Sequence, residues 1–223
     1  MITLHHLENS QSIRILWLLE ELRIDYDFKM YDRDKKTFLA PAEYKAISPL
    51  GTAPVITDGD LVLPETNAIV DYILDTYGGG RLRPALGTAE RGKYLFWFHA
   101  AQGSFQPLLT SAFVFGALKS RVPFFLRPLM RAVIGQAEKA FLQPRLEALY
   151  ALIEEDLGKT KWFAGDTLTA ADIVMGYCME IAAARTGMDK RYPNAQRFLK
   201  QMHDEPAYQR ALEIDGKFDP MAG

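Results

Sequence analysis

Apolar and polar positions follow two periods in the first third of the chain and a single period after it. Residues 2–7 form a short β-prone run. Ile15, Leu18, Leu19 and Leu22 then recur at i, i+3, i+4 and i+7, the spacing of one helix face. Residues 26–30 read as a second strand and 41–47 as a short helix. The apolar runs 55–57 and 61–63 flank Asp58, Gly59 and Asp60, which marks a hairpin. Ile69, Tyr72, Ile73 and Tyr77 make the next helix face. The predicted order is β-α-β-α-β-β-α.

Residues 77–84, YGGGRLRP, interrupt this pattern. Beyond them only helical signals occur. Residues 89–117 are one long candidate. Leu146, Leu149 and Ile153 mark a second face, and Ile173, Tyr177 and Ile181 a third. Two short helices are expected at 194–202 and 206–212. The pattern predicts an α/β domain over 1–79, a linker over 80–88 and an all-helical domain over 89–223.

Composition narrows the chemistry. The chain has 223 residues, 48% of them hydrophobic, enough for a sizeable core and two domains. A formal charge of −2 gives no reason to expect a nucleic-acid surface. The one cysteine, Cys178, cannot close an internal disulfide, and no Cys/His cluster offers a metal site. The start lacks the layout of a signal peptide, and no run of about 18 apolar residues predicts a membrane span. A cytoplasmic setting is expected.

Several short stretches carry candidate chemistry. In TLTAADI (167–173), Thr169 and Asp172 have the spacing of a capping box, a folding device. Pro54 in GTAPVI stands at a strand entry, either as a plain strand start or as a cis bond that exposes the backbone of Ala53. In LPETNAIVDYI (63–73), Glu65, Thr66 and Asn67 open an apolar helix. Capping explains all three. A helix start also offers free N–H groups to a ligand carboxylate, while Glu65 would hold an ammonium. In NSQSIR (9–14), a hydroxyl of Ser10 or Ser12 would cap the first helix or donate to an anion such as a thiolate. No Gly-x-Ser-x-Gly elbow surrounds either serine.

Other residues read as structural. His5 and His6 are expected to be buried and hydrogen-bonded, and Cys178 and Trp17 to be core residues. Residues 119–134 mix Arg121, Arg127 and Arg131 with Phe124, Phe125 and Met130. Such a segment packs between helices with its arginines solvated, lines an apolar cleft or touches a membrane surface.

Taken in order, HHLENSQSIRILWLLEEL, SPLGTAPVITDGDLVLPETNAIVDYI and FAGDTLTAADI resemble the cytosolic glutathione transferase family over nearly the whole chain. RILWLLEEL and VPFFLRPL look most like its bacterial and fungal GTT-like subgroup. The resemblance implies a thioredoxin-like first domain, an all-helical second domain and a two-fold homodimer. It implies an enzyme that joins the sulfur of glutathione, a co-substrate, to a small apolar electrophile, with no metal. By the same resemblance Ser10, four residues before Arg14, is the catalytic group of a serine-type site, with Asn9 and Ser12 as substitutes. Glu65 and Thr66 would hold the γ-glutamyl end, and Ala53, before Pro54, would pair with the cysteinyl unit. Phe105, Leu109 and Phe113 are candidates for the electrophile pocket, although their spacing equally fits a core face. Many relatives carry a lysine where Thr52 stands, which leaves Arg33, Lys35 and Lys36 as alternatives for the glycyl carboxylate. A ligand-binding module without activity and a glutathione-dependent peroxidase are the alternative functions.

Overall fold

A computed structural model describes residues 1–221. Strands β1 (Ile2–Leu7), β2 (Tyr26–Tyr31), β3 (Val55–Asp58) and β4 (Leu61–Pro64) form one sheet in the order β2-β1-β3-β4. β1 pairs in parallel with β2 and antiparallel with β3, which pairs antiparallel with β4. Helices α1 (Ile13–Leu22), α2 (Ala42–Ile47) and α3 (Thr66–Thr76) complete a thioredoxin-like domain in the predicted order.

The α1 helix departs from the expected single face. Ile13 through Leu19 are all buried, as is Leu22. It runs between the sheet layer and the helices α8 (Ala170–Arg185) and α10 (Pro206–Asp215), so it has apolar neighbours on every side. One continuous core therefore joins Leu4, Leu19 and Ile69 of the first domain to Trp97, Phe163 and Phe198 of the second.

The helical part begins at Ala89. The long helix expected over 89–117 is α4 (Ala89–Ala100) and α5 (Gln106–Ser120), joined through a π turn, Ala101–Phe105. Pro107 explains the widening: it has no N–H to donate and its ring would meet the carbonyl of Gly103 in a regular α-helix. The same device recurs between α6 (Arg127–Ala137) and α7 (Gln143–Lys159), where the π turn Glu138–Leu142 precedes Pro144. A single 3-10 turn, Phe124–Leu126, leads into α6, and α9 (Pro193–Asp204) precedes α10. No single helix among the described residues is long and apolar enough to cross a membrane.

The capping box closes at the start of α8. The Asp172 carboxylate accepts from the Thr169 N–H at 2.8 Å, the Thr169 hydroxyl at 2.8 Å and the Phe163 N–H at 2.7 Å. His5 bonds to Tyr31 and Thr57 across the sheet, at 3.0 and 3.1 Å. His6 Nε2 lies 2.7 Å from Asp215 Oδ2, with both side chains fully buried.

Candidate functional site

The strand register gathers the candidate residues at one end of the sheet. Val55 pairs with both His5 and Pro64. The turn after β1, the Ala53–Pro54 peptide before β3 and the Glu65–Thr66 start of α3 therefore meet at the same end of the sheet. The Ala53–Pro54 bond is cis. Tyr44 donates to the carbonyl of Thr52 at 3.2 Å and fixes the approach to it.

Capping does not explain the start of α3. Glu65 has φ 78°, in the left-handed region, and no side chain closes the first turn of the helix. Thr66 is buried at the first helical position, and Glu65 is exposed. Asn67 is turned away: its Nδ2 donates to the Phe98 carbonyl at 2.8 Å and ties α3 to α4. The leading N–H groups of α3 thus stay open, as anion binding at a helix start requires, and an exposed carboxylate that suits a cation stands next to them.

The turn after β1 is tightly bonded. Ser12 precedes α1, yet its hydroxyl makes no cap. The Oγ atoms of Ser10 and Ser12 lie 2.6 Å apart, and the Ser12 N–H donates to Ser10 Oγ at 3.2 Å. Both serines are buried. Asn9 has φ 48°, a conformation that asparagine tolerates. Its Oδ1 accepts from the Asp219 N–H at 2.8 Å, which draws the C-terminal segment over the turn.

A cleft of about 780 Å³ opens beside this turn, between the first domain and helices α5 and α8. Leu109, Phe113, Tyr177 and Phe218 are among its apolar lining residues, and Asn9 lines it as well. Of the three residues expected in an electrophile pocket, Leu109 and Phe113 line this cleft. Phe105 does not: it is fully buried, with its ring 6.0 Å from that of Tyr150. The π turn puts it in the core, and neither the spacing nor the residue type distinguishes that outcome. Ala53, Pro54, Glu65 and Thr66 lie outside this cleft, at the end of the sheet.

The cations near the turn differ in their commitments. Arg33 donates through Nε to the Glu8 carbonyl at 2.8 Å and through a terminal nitrogen to the Phe38 carbonyl at 3.0 Å. It braces the loop after β2. Lys35 lines the cleft, and Lys36 does not. Arg14, which sequence reasoning used only as a spacing mark, is a buried cation behind the turn. It donates to Gln11 Oε1 at 2.8 Å, Gln106 Oε1 at 3.3 Å and Cys178 Sγ at 2.9 Å. No local pattern reveals this, because two of its three partners come from α5 and α8.

Comparison with known proteins agrees with this architecture. Residues 4–81 match the model for the glutathione S-transferase N-terminal domain, and residues 125–213 the model for the C-terminal domain. Glutathione S-transferase 3 of Schizosaccharomyces pombe is 34% identical over 96% of this chain and 87% of its own. The crystal structure of a glutathione S-transferase from Actinobacillus pleuropneumoniae is 34% identical and has a TM-score of 0.75, covering 98% of this chain and 94% of that one. A sphingomonad glutathione S-transferase complexed with glutathione has the same fold, with a TM-score of 0.71 at 22% identity over 96% of this chain and 98% of its own. This chain belongs to the glutathione S-transferase family.

Proposed function

We propose that this enzyme joins the sulfur of glutathione to a small apolar electrophile, with Ser10 donating to the thiolate. The observation that carries this reading is the open start of α3, where an exposed Glu65 adjoins unclosed backbone donors. A γ-glutamyl group bears an ammonium and a carboxylate, and those two features complement them. Thr66 supplies a hydroxyl. The cis peptide at Ala53 supports backbone pairing with the cysteinyl unit at the same end of the sheet. The sphingomonad relative is complexed with glutathione, which supports the same ligand here.

The thiolate is the nucleophile, and a free thiol has a pKa of about 8.5. Lowering it by about two units needs roughly 2.7 kcal/mol of preference for the anion. One charge-assisted hydrogen bond supplies about 1.5–3 kcal/mol. Ser10 Oγ already accepts from the Ser12 N–H. Either hydroxyl can donate across the 2.6 Å contact, and Ser12 Oγ also donates to the Leu7 carbonyl at 3.5 Å. This reading requires Ser12 to give its proton to Ser10 instead, so that the Ser10 proton is left for the thiolate. The sulfur then forms a bond to the electrophilic carbon, and the leaving group departs with the electron pair of the broken bond. The apolar wall at Leu109, Phe113 and Tyr177 suits a small apolar partner for this step.

Asn9 supports a second reading of the thiolate partner, because it lines the cleft while Ser10 is buried. A serine-type site, GTT-like grouping, two-fold homodimer, cytoplasmic setting and a linker over 80–88 belong to the same proposal.

Kinetics with an aryl halide test the ligand assignment. Glu65→Gln and Thr66→Val are expected to raise KM for glutathione about tenfold or more while kcat changes little, the signature of lost ground-state binding. Thr66→Ser should keep the parent KM. An unchanged KM in both Glu65→Gln and Thr66→Val would refute the assignment.

A further inference from the structure

Between Leu109 and Ile134 no residue is buried, although this stretch is rich in phenylalanine, leucine and valine. It forms the apex of a helical hairpin, where the segments Ala89–Ser120 and Phe124–Lys159 turn through 116°. Phe124 and Phe125 stand at the turn with 79% and 67% of their surface exposed. Leu129 and Val133 follow Phe125 at i+4 and i+8 and are 60% and 55% exposed, so they extend one apolar stripe along α6. Met130 and Ile134 pack on the inner side, so the outer stripe is surplus to the core. An apolar surface of this kind marks an interaction site.

Charge identifies the partner. From residue 119 to residue 137 the chain holds Lys119, Arg121, Arg127 and Arg131 and no acidic residue, in a protein of net charge −2. Glu138 neutralises Lys119. Among the described residues the three arginines make no ion pair, and all are exposed. A second copy paired through this same stretch would bring no acidic residue of residues 119–137 to these cations. An acidic protein would need a concavity for the paired phenylalanines of a projecting turn. A fluid headgroup layer meets both demands, because aromatic and aliphatic side chains enter at the acyl boundary while guanidinium groups stay among anionic headgroups.

We propose that the α5–α6 apex docks this enzyme on an anionic lipid bilayer. It is a surface contact and not a span. The full chain should co-sediment with phosphatidylglycerol-containing phosphatidylcholine vesicles, much less with pure phosphatidylcholine, and release as salt rises. Phe124→Ser with Phe125→Ser should lower the partition at least about tenfold, and each of Arg121→Gln, Arg127→Gln and Arg131→Gln about fivefold. These residues are exposed, and circular dichroism would check that every variant is folded. Failure of the folded parent to bind anionic vesicles at low salt would overturn the proposal. So would equal binding to both vesicle types, or a phenylalanine variant that alters oligomeric mass and leaves vesicle binding unchanged, since a second copy would then cover the apex.

Discussion

Arg14 donates to Cys178 Sγ at 2.9 Å, joining the first helix to α8 across the two layers. The guanidinium is almost fully buried, and among the described residues no carboxylate pairs with it. Its charge is held instead by two glutamine oxygens, the sulfur and the face of Tyr177, whose ring centre lies 4.7 Å away. A buried cation that depends on neutral partners is sensitive to the loss of any one of them. Cys178→Val should therefore destabilise the protein by about 1–3 kcal/mol in urea unfolding, while Cys178→Ser, which keeps an acceptor, should cost less. Equal stability for the valine variant and the parent would contradict this.

The same geometry makes Cys178 inert. Burial pushes its thiol above the usual range, against the opposing pull of Arg14. Thiolate is the reactive form, so an aromatic disulfide reagent should label the native protein only as fast as it opens. Fast stoichiometric labelling without denaturant would show that the thiol is accessible.

Asp172 gives a pH dependence of definite sign. Burial pushes its carboxyl from 3.8 to about 6, against the hydrogen bonds from Phe163, Thr169 and its own backbone that favour its anion. The folded state then holds this proton more tightly than the unfolded state. The contribution of Asp172 to stability therefore falls as pH rises from about 4 to about 6. Urea unfolding of the parent and Asp172→Asn across that window should show the parent losing stability relative to the variant. A constant difference would refute the shift.

His203 titrates in the opposite sense. Its Nε2 lies 2.8 Å from Glu180 Oε1, and that carboxylate raises its pKa. Stability from the pair is fully present below the ordinary value of about 6.5 and is lost as pH rises through the higher folded value. NMR titration should find the His203 midpoint above the ordinary one in the parent and lowered in Glu180→Gln. Identical midpoints would remove the pair from the argument.

The periodic elements of the first domain were legible because each buries a face that a local pattern encodes. The element order and the α3 face fall in this class, and in the helical part the Thr169–Asp172 box was legible from its local spacing. Features set by distant contacts were not. The α1 pattern indicated one face, but its other sides are covered by α8 and α10, far along the chain. Pro107 signals a disturbance without saying that a π turn will bury Phe105 and leave Phe113 in the cleft. At the site, Glu65 and Thr66 could be located in the sequence, but only the backbone distinguishes an open helix start from a capped one. Arg14 was visible as a spacing mark, and its buried network needed the packed helices.

The most direct test is the pH titration of thiolate ultraviolet absorbance for glutathione bound to the parent, Ser10→Ala and Asn9→Ala. The expected result is a bound-thiol midpoint well below the free value of about 8.5, returning toward it in Ser10→Ala and not in Asn9→Ala. Return only in Asn9→Ala would transfer the role to Asn9. Binding with no shift in the parent, or no binding, would contradict thiolate stabilisation at this turn.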